Sequence, residues 1–513
     1  MAARGDDGAW TRRLARWQPL LLLILPAVWA AIVWSPSYSV DPDSYYHLGV
    51  ARRMIEDGWL RQFPWLPHTT LHAPFPDVHL GQHVLLMPFV AVLPLQTALR
   101  VAVVAFASAM AASLYLVLRR HGVRWAAPWV VLGLATSPLA LAYASFLKGA
   151  ATFLIVLPWF VDAIWRGAHR RAFVLAWVSV YVYVGATVLV PFALVHLVVE
   201  RWWHARWTWR PVVATVAGLA AGMIVNPLWP AHWGHVAAEL RSIFARDPEL
   251  IPGELRGGEW AMLTGEMLLG LAGVALVAWF VILVRQLGRA ARVPAAAASG
   301  AIAALGLLGG ALLAGSKLVE LFVVFSILAV PIAAEAMRPW PRALVVAAIG
   351  LAIVVGARGG LRFHDEMAVP GQSHPRDYQV MAAWLDARTA PGEMVVAPWD
   401  DMPGLFLFGG DQRYMAGVNV QFLRDHDRTR FEAYGLLYRG AIGDPEAAMA
   451  RLFDGARLLL VRRVPHLPGE LPLTDHLAHS PHFEELASPT ALWRVFRRLD
   501  DGAAPAAPAA TTR

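Results

Sequence analysis

Apolar residues in this chain come in long unbroken runs, at 19 to 34, 97 to 118, 125 to 144, 210 to 229, 261 to 284, 296 to 315, 318 to 336 and 341 to 357. Crossing a bilayer core takes ~20 helical residues, so each run is read as a membrane helix. Shorter spans are expected at 149 to 165 and across 172 to 200, where Gly185 and Pro191 can divide the stretch into two half-helices. The pattern predicts ten or eleven crossings. The first run is followed by Trp34, Ser35 and Pro36 and not by a small-residue cleavage site, so it is expected to stay as an anchor. The segment 83 to 95, interrupted by Pro88 and Pro94, falls below the ~17-residue minimum and is expected to dip in or lie at the interface.

Composition agrees: 57% of residues are hydrophobic and only 16% charged, which excludes an ordinary soluble domain. The net charge of +7 would suggest nucleic acid if the basic residues were clustered, but they punctuate the spans. Arg12, Arg13 and Arg16 precede the first run; Arg119, Arg120 and Arg124, then Arg166, Arg170 and Arg171, follow later ones. Arg201, Arg206 and Arg210, then Arg285, Arg289 and Arg292, then Arg338 and Arg342 complete the series. Placing these short loops in the cytoplasm gives a consistent alternation under the positive-inside rule. The loops 36 to 82 and 230 to 260 and everything after 358 then face outward. The expectation is a multi-pass protein of the plasma (inner) membrane, with a cytoplasmic N-terminus, an extracytoplasmic C-terminal domain and no nucleic-acid partner. With no cysteine, the outward regions cannot use disulfides.

The chain thus divides into a membrane domain over 1 to 357 with its two outward loops, a linker at 358 to 373, a soluble domain over 374 to 499 and an Ala/Pro tail at 500 to 513, expected to be disordered. In the soluble part, helical patterns at 376 to 388, 428 to 439 and 444 to 453 alternate with buried-strand patterns at 393 to 397 and 457 to 462. That alternation predicts a small α/β layer structure. Residues 232 to 246 place Trp233, Val236, Ala237, Leu240 and Phe244 at helical spacing, which reads as an interfacial amphipathic helix.

Candidate chemistry concentrates in the first outward loop. In VDPDSYYHLGVARRM, Asp41 and Asp43 lie just beyond a membrane helix, and a helix continuing from Pro42 puts Asp43 and His47 on one face. A D-x-D pair suits a hard divalent cation, or the orientation of an acceptor beside a sugar phosphate. The plainer alternative is that Asp41 caps the helix and the others are solvated. Later in the loop Asp77, His79 and His83 form D-x-H-x-x-x-H, with the histidines at the i,i+4 spacing of a shared metal. Here the alternative is interfacial capping and hydrogen bonding.

Four segments, in order, resemble the GT-C glycosyltransferases, in particular the catalytic subunit of oligosaccharyltransferase and its divergent bacterial relatives. DPDSYYHLGVARRMIEDG is similar to the first-loop acidic motif, and VGATVLVPFALVHLV to the half-helix pair of the membrane core. PGELRGGEW stands where the family's outer loop carries a catalytic-site glutamate, here Glu254. APWDDM, after a buried strand, resembles the Trp-Trp-Asp-Tyr-Gly signature of the soluble domain. The resemblance implies a GT-C-like helical membrane domain followed by a small α/β extracytoplasmic domain. It also implies transfer of a sugar or oligosaccharide from a polyprenyl-phosphate-type donor to a glycan, lipid or protein acceptor on the outer face.

Under that reading Asp41, Asp43 and Glu254 are the catalytic candidates, and Lys148, Lys317, Trp399 and Asp400 the substrate-binding ones. Lys317 and Glu320 at i,i+3 read equally as a structural pair, and Trp399 and Asp400 as a turn covering the core. A divalent cation, Mn²⁺ or Mg²⁺ with Zn²⁺ as a further candidate, is expected on Asp41, Asp43, His47, Asp77, His79 and His83.

Departures from the family pattern keep a second reading open. The stretch where the family has a second acidic pair reads YASFLKGAATF, with Lys148 and no carboxylate. The outer-loop motif lacks the usual serine and histidine, so an acceptor other than protein asparagine is expected. The competing reading is a non-catalytic protein that binds or transports lipid-linked glycans on the same scaffold.

Overall fold

The computed structural model describes residues 16–35, 41–135, 146–244, 294–314, 319–336, 374–463 and 470–499. These fall into two compact units, one from 16–35, 77–244 and 294–336, the other from 41–76 and 374–499. The runs 261 to 284 and 341 to 357, the linker, the tail, Glu254 and Lys317 lie outside the described residues.

The first unit is a membrane-associated helical domain. Among the described residues two helical stretches are long and apolar enough to cross a membrane, Leu95–Arg120 and Val184–His204. Shorter apolar helices join them, including Gln18–Val33, Leu80–Val92, Gly149–Trp165 and Arg210–Val225. Large apolar side chains such as Val92, Val213, Ile224 and Val225 stay largely exposed, as on a lipid-facing surface. The stretch over 172 to 200 does divide: helix His169–Ser179 ends, a 3-10 turn follows at Val184–Val188, and helix Leu189–His204 begins. Pro191 falls in the first turn of that helix, where a missing N–H leaves no bond unmade.

Helices His169–Ser179 and Arg210–Val225 pack closely because Gly218 and Gly222, one turn apart, let the backbones approach. A Cβ on Gly218 would lie 2.3 Å from the Phe173 carbonyl oxygen, and one on Gly222 2.8 Å from that of Trp177. This is the small-residue packing that suits helices in lipid.

Polar contacts sort the helix ends of this unit. At one end the buried Asp162 carboxylate gathers Arg120 at 3.3 Å, His121 at 3.1 Å and Arg171 at 3.5 Å. There also Gln18 donates to the Arg124 carbonyl at 2.7 Å, and Arg124 pairs with Glu335 at 3.6 Å. The basic segments around Arg120, Arg124 and Arg171 therefore meet on one side of this unit. At the other end His79 donates through Nδ1 to the Val182 carbonyl at 3.1 Å, and Gln82 to that of Leu147 at 2.7 Å.

The second unit holds a five-stranded mixed sheet of β1 (Met394–Val396), β2 (Arg413–Tyr414), β3 (Leu458–Arg462), β4 (Phe483–Leu486) and β5 (Trp493–Arg498), in the order β2-β1-β3-β5-β4. β1 runs parallel to β2 and β3, whereas β5 is antiparallel to β3 and β4. Helix Arg428–Tyr438 is fastened to the sheet by its tyrosines. Tyr434 donates to the Ala397 carbonyl at 2.8 Å and Tyr438 to that of Leu460 at 2.9 Å. Val396, Leu459, Phe496, Met449 and Leu477 complete the core.

Residues 41 to 76 of the first long loop fold into this unit. Phe63 stacks on Phe75 with ring centres 5.1 Å apart and lies 5.1 Å from Phe406, while Trp65 lies 5.0 Å from Phe406. Backbone bonds from Tyr414 to Trp65 (2.8 Å) and from Thr70 to Phe422 (3.1 Å) fix the loop further. Helix Pro42–Glu56 is thereby held on a folded base.

Candidate functional site

Asp41 is the N-cap of helix Pro42–Glu56: its Oδ1 accepts from the Asp43 backbone N–H at 3.0 Å, and Pro42 occupies the first turn. The cap engages one lone pair of a carboxylate that has about four acceptor sites, so capping and ligation are compatible. Asp43 follows in the first turn and shares a helix face with His47, as the spacing required. The His47 ring is buried, edge-on to Tyr46 with centroids 5.2 Å apart.

Asp77, His79 and His83 belong to the helical unit, and here the structure assembles a built group. Asp77 Oδ1 accepts from the His79 backbone N–H at 3.0 Å, and its Oδ2 lies 2.8 Å from His83 Nδ1. Asp77 and His83 are both buried. The His79 ring packs against the start of helix Gly149–Trp165, and a Cβ on Gly149 would come within 2.1 Å of its Nδ1. Lys148 is the N-cap residue of that helix, with its ammonium 5.5 Å from the Phe146 ring.

Two histidines that the sequence reading passed over join this neighbourhood. Helix Ala231–Phe244 forms and buries Val236, one of the apolar positions the spacing indicated, but Trp233 is 53% exposed, while His232 is 1% and His235 8% exposed. Burial holds the His232 ring well below its ordinary range, at about 4, with Asp77 pulling it up and His79 pushing it further down. His235 is likewise lowered to about 4, first by burial and then by the charges of His79 and His232. Both nitrogens of His232 are buried without a hydrogen-bond partner among the described residues. Leaving a polar group so costs about 1–3 kcal/mol, which packing alone does not explain. The i,i+3 histidine pair in HWGHVAAELR was the available signal.

In the sheet unit, Trp399 packs against the core and Asp400 lies 3.0 Å from Arg462. The anchor of this turn is the next residue. Asp401 is fully buried and accepts from Arg462 Nε at 2.9 Å and Nη2 at 2.6 Å, from Trp493 Nε1 at 2.8 Å and from the Tyr378 hydroxyl at 2.7 Å. Burial alone would raise its pKa, but the Arg462 charge and the hydrogen bonds from Arg462, Trp493 and Tyr378 outweigh it and hold the carboxyl below its usual range. Asp401 thus fixes the segment after β1 from which Trp399 and Asp400 project.

The structure therefore brings Asp77, His79 and His83 together in one unit, and Asp41, Asp43 and His47 in the other. Among the described residues no three His, Asp or Glu side chains stand close enough to share a metal ion as they are.

No family model and no curated protein matches the sequence. Solved structures do match in fold. ArnT from Cupriavidus metallidurans in the apo state aligns with a TM-score of 0.61 at 14% identity, over 96% of this chain and all of that one (100%). The same protein has been solved bound to undecaprenyl phosphate. The archaeal oligosaccharyltransferase AglB from Archaeoglobus fulgidus, in complex with an inhibitory peptide and a dolichol-phosphate, aligns at 0.60 and 10% identity over 93% of this chain and 74% of that one. The mycobacterial arabinofuranosyltransferase AftD aligns at 0.54 and 16% identity, over 94% of this chain and 41% of that one. These are GT-C membrane glycosyltransferases, and the likeness is one of fold.

Proposed function

We propose that this chain is a multi-pass membrane glycosyltransferase that moves a sugar or oligosaccharide from a polyprenyl-phosphate-type donor to an acceptor on the outer face. The observation that carries the reading is the extent of the fold likeness, which runs through both the helical and the sheet parts of the chain. It covers 96% of this chain and the whole of an ArnT chain, a protein also solved with undecaprenyl phosphate. The gathering of Arg120, Arg124 and Arg171 at one end of the helical unit supports the positive-inside orientation.

In this reading an acceptor hydroxyl attacks the anomeric carbon, the bond from that carbon to the donor phosphate oxygen breaks, and the phosphate leaves with the electron pair. Asp41 accepts the hydroxyl's hydrogen bond and takes up its proton, held in place by its role as helix cap. Asp41 and Asp43 supply two carboxylates two positions apart, a set that fits a Mg²⁺-class cation completed by waters and donor phosphates. Such a cation, when bound, neutralises charge developing on the leaving phosphate. Lys148, in the helical unit, is assigned to substrate phosphate by its charge alone, and Glu254 and Lys317 are assigned their roles by the family resemblance alone. Trp399 and Asp400, on the turn that Asp401 anchors, are assigned to acceptor or donor contact.

The test is turnover by the purified full chain: a radiolabelled sugar on polyprenyl phosphate should leave the lipid phase, and chelation of divalent cations should slow it.

A further inference from the structure

Helices Leu189–His204 and Arg210–Val225 pack on one another and are joined by residues 205 to 209, within the segment RWWHARWTWR. Ala205, in the left-handed region at φ 54°, ends the first helix. Along that helix Leu194, Val198 and Trp202 are exposed at every fourth position, and along the second Val213, Val216 and Ile224 are exposed. Each set shares one helix face. The opposite face of the second helix carries Gly218 and Gly222, against helix His169–Ser179. Two outward apolar stripes therefore run to the same connection.

At the connection the surface changes from aliphatic to aromatic and basic. Trp203 turns inward onto Val199, Ala295 and Ala298, while Trp202 is 76%, Trp207 56% and Trp209 52% exposed. The Trp207 and Trp209 rings stack with centroids 5.7 Å and planes 7° apart, and the Arg201 guanidinium lies 5.8 Å from the centre of the Trp207 ring. Arg201, Arg206 and Arg210 are all exposed, and none of them pairs with a carboxylate among the described residues. The neighbouring Glu200 faces His196 at 3.9 Å and His204 at 4.0 Å instead. Gly218 meets Phe173 and Gly222 meets Trp177, so the second helix runs parallel to His169–Ser179. Arg210 consequently stands at the end of the unit that holds Arg171 and Asp162.

We infer that residues 201 to 210 bind an anionic glycerophospholipid of the surrounding membrane, its acyl chains along the two stripes and its phosphodiester on Arg201, Arg206 and Arg210. Exposed tryptophans at the end of a lipid-facing stripe mark the headgroup level, where the indole body stays in the apolar layer and its N–H reaches water. Guanidinium groups offer phosphate paired N–H donors. Basic groups at a junction of two membrane helices, with no acid of the protein to neutralise them, favour an anionic headgroup over a zwitterionic one. The site is in the helical unit, apart from Asp41 and Asp43, and it rests on membrane association and not on the transferase reading.

The experiment is lipid selectivity. The detergent-purified full chain is delipidated and incubated with an equimolar mixture of phosphatidylglycerol and phosphatidylcholine, and the lipid it retains is counted by native mass spectrometry. At about 1 kcal/mol, or 5-fold, per arginine at a charged headgroup, the wild type is expected to prefer phosphatidylglycerol by more than about 10-fold. Added salt should shrink that preference. Changing Arg201, Arg206 and Arg210 together to Gln should bring it within about 2-fold of none, with unfolding in lipid-free detergent unchanged because these side chains are exposed and unpaired. Arg206→Gln alone, in the connection between the helices, should lower it by about 5-fold, and this variant decides the matter if the triple variant does not fold. A wild type that retains the two lipids equally overturns the inference and leaves the tryptophans as plain interfacial anchors. Variants that fold and keep the wild-type preference also overturn it.

Discussion

Arg52 donates through Nη1 to the Leu407 carbonyl at 2.7 Å, joining residues 355 positions apart. Its neighbour Arg53 donates to the Gly409 carbonyl at 3.2 Å and also to that of Gly410, and stacks over Trp65 at 4.7 Å. The Arg-Arg pair of the first loop is thus the clasp that docks helix Pro42–Glu56, and with it Asp41, onto the sheet unit. Arg53, the more buried of the two, should matter more. Arg53→Ala is expected to cost about 1.5–3 kcal/mol, the range for hydrogen bonds to a charged group, and Arg52→Ala less. Thermal unfolding of the full chain, with proteolysis inside residues 41 to 76 as a local probe, reads the difference.

Asp401 should dominate the acid stability of the sheet unit. Its folded pKa is depressed, so its contribution is fully present above the unfolded value of ~3.9 and is lost as pH falls toward the depressed folded value. Asp401→Asn is therefore expected to lose about 3–5 kcal/mol at neutral pH, as when one partner of a buried pair is removed. The gap to wild type should hold from pH 7 to 5 and narrow only below ~3.9. Denaturant unfolding at several pH values checks both size and window.

Glycine positions give a paired test of packing. Gly149→Ala should cost about 1–3 kcal/mol by overpacking, because the new methyl meets His79 Nδ1 at 2.1 Å. Gly306→Ala meets nothing within 4 Å and should be neutral or stabilise its helix by about 0.5–1 kcal/mol. Thermal shifts of the two variants in the same detergent should move in opposite directions, or differ by at least the Gly149 cost.

Topology is testable because the chain has no native cysteine. Single cysteines at Asp57, Glu254 and Asp400 should react with an impermeant reagent from outside, and those at Arg120, Arg206 and Arg289 only after the membrane is opened. A sheet unit labelled from the cytoplasm would overturn both the orientation and the mechanism.

The parts of the fold legible in the sequence were those where one property dominates. Continuous apolar runs marked apolar helices, two of which are long and apolar enough to cross a membrane among the described residues, and the fully buried β1 and β3 stood out as runs of Val and Leu. β4 and β5 did not, because their solvent faces carry the cross-strand pairs Arg494–Glu485 and Arg497–Glu484, which break the apolar pattern. β2 is only two residues long. In the candidate site, local spacing located the helix start at Asp41 and the Asp77–His83 pair. The rest depended on contacts across the chain: Asp401 is distinguished from Asp400 only by Arg462 and Trp493, 61 and 92 positions away. His232 lies off the apolar stripe of its helix, so nothing in the local spacing marked it as buried.

The most direct measurement of the central claim is sugar transfer by wild-type protein and by Asp41→Asn, run side by side on a polyprenyl-phosphate-linked donor. Asparagine caps a helix as well as aspartate does, so this substitution keeps the bond to Asp43 and the fold while removing the carboxylate. The wild type is expected to release the sugar from its lipid, and Asp41→Asn to show unchanged unfolding and donor binding with turnover reduced by about 100-fold or more. A wild-type protein that binds donors of every carrier length and transfers none, or an Asp41→Asn protein with full turnover, would contradict it.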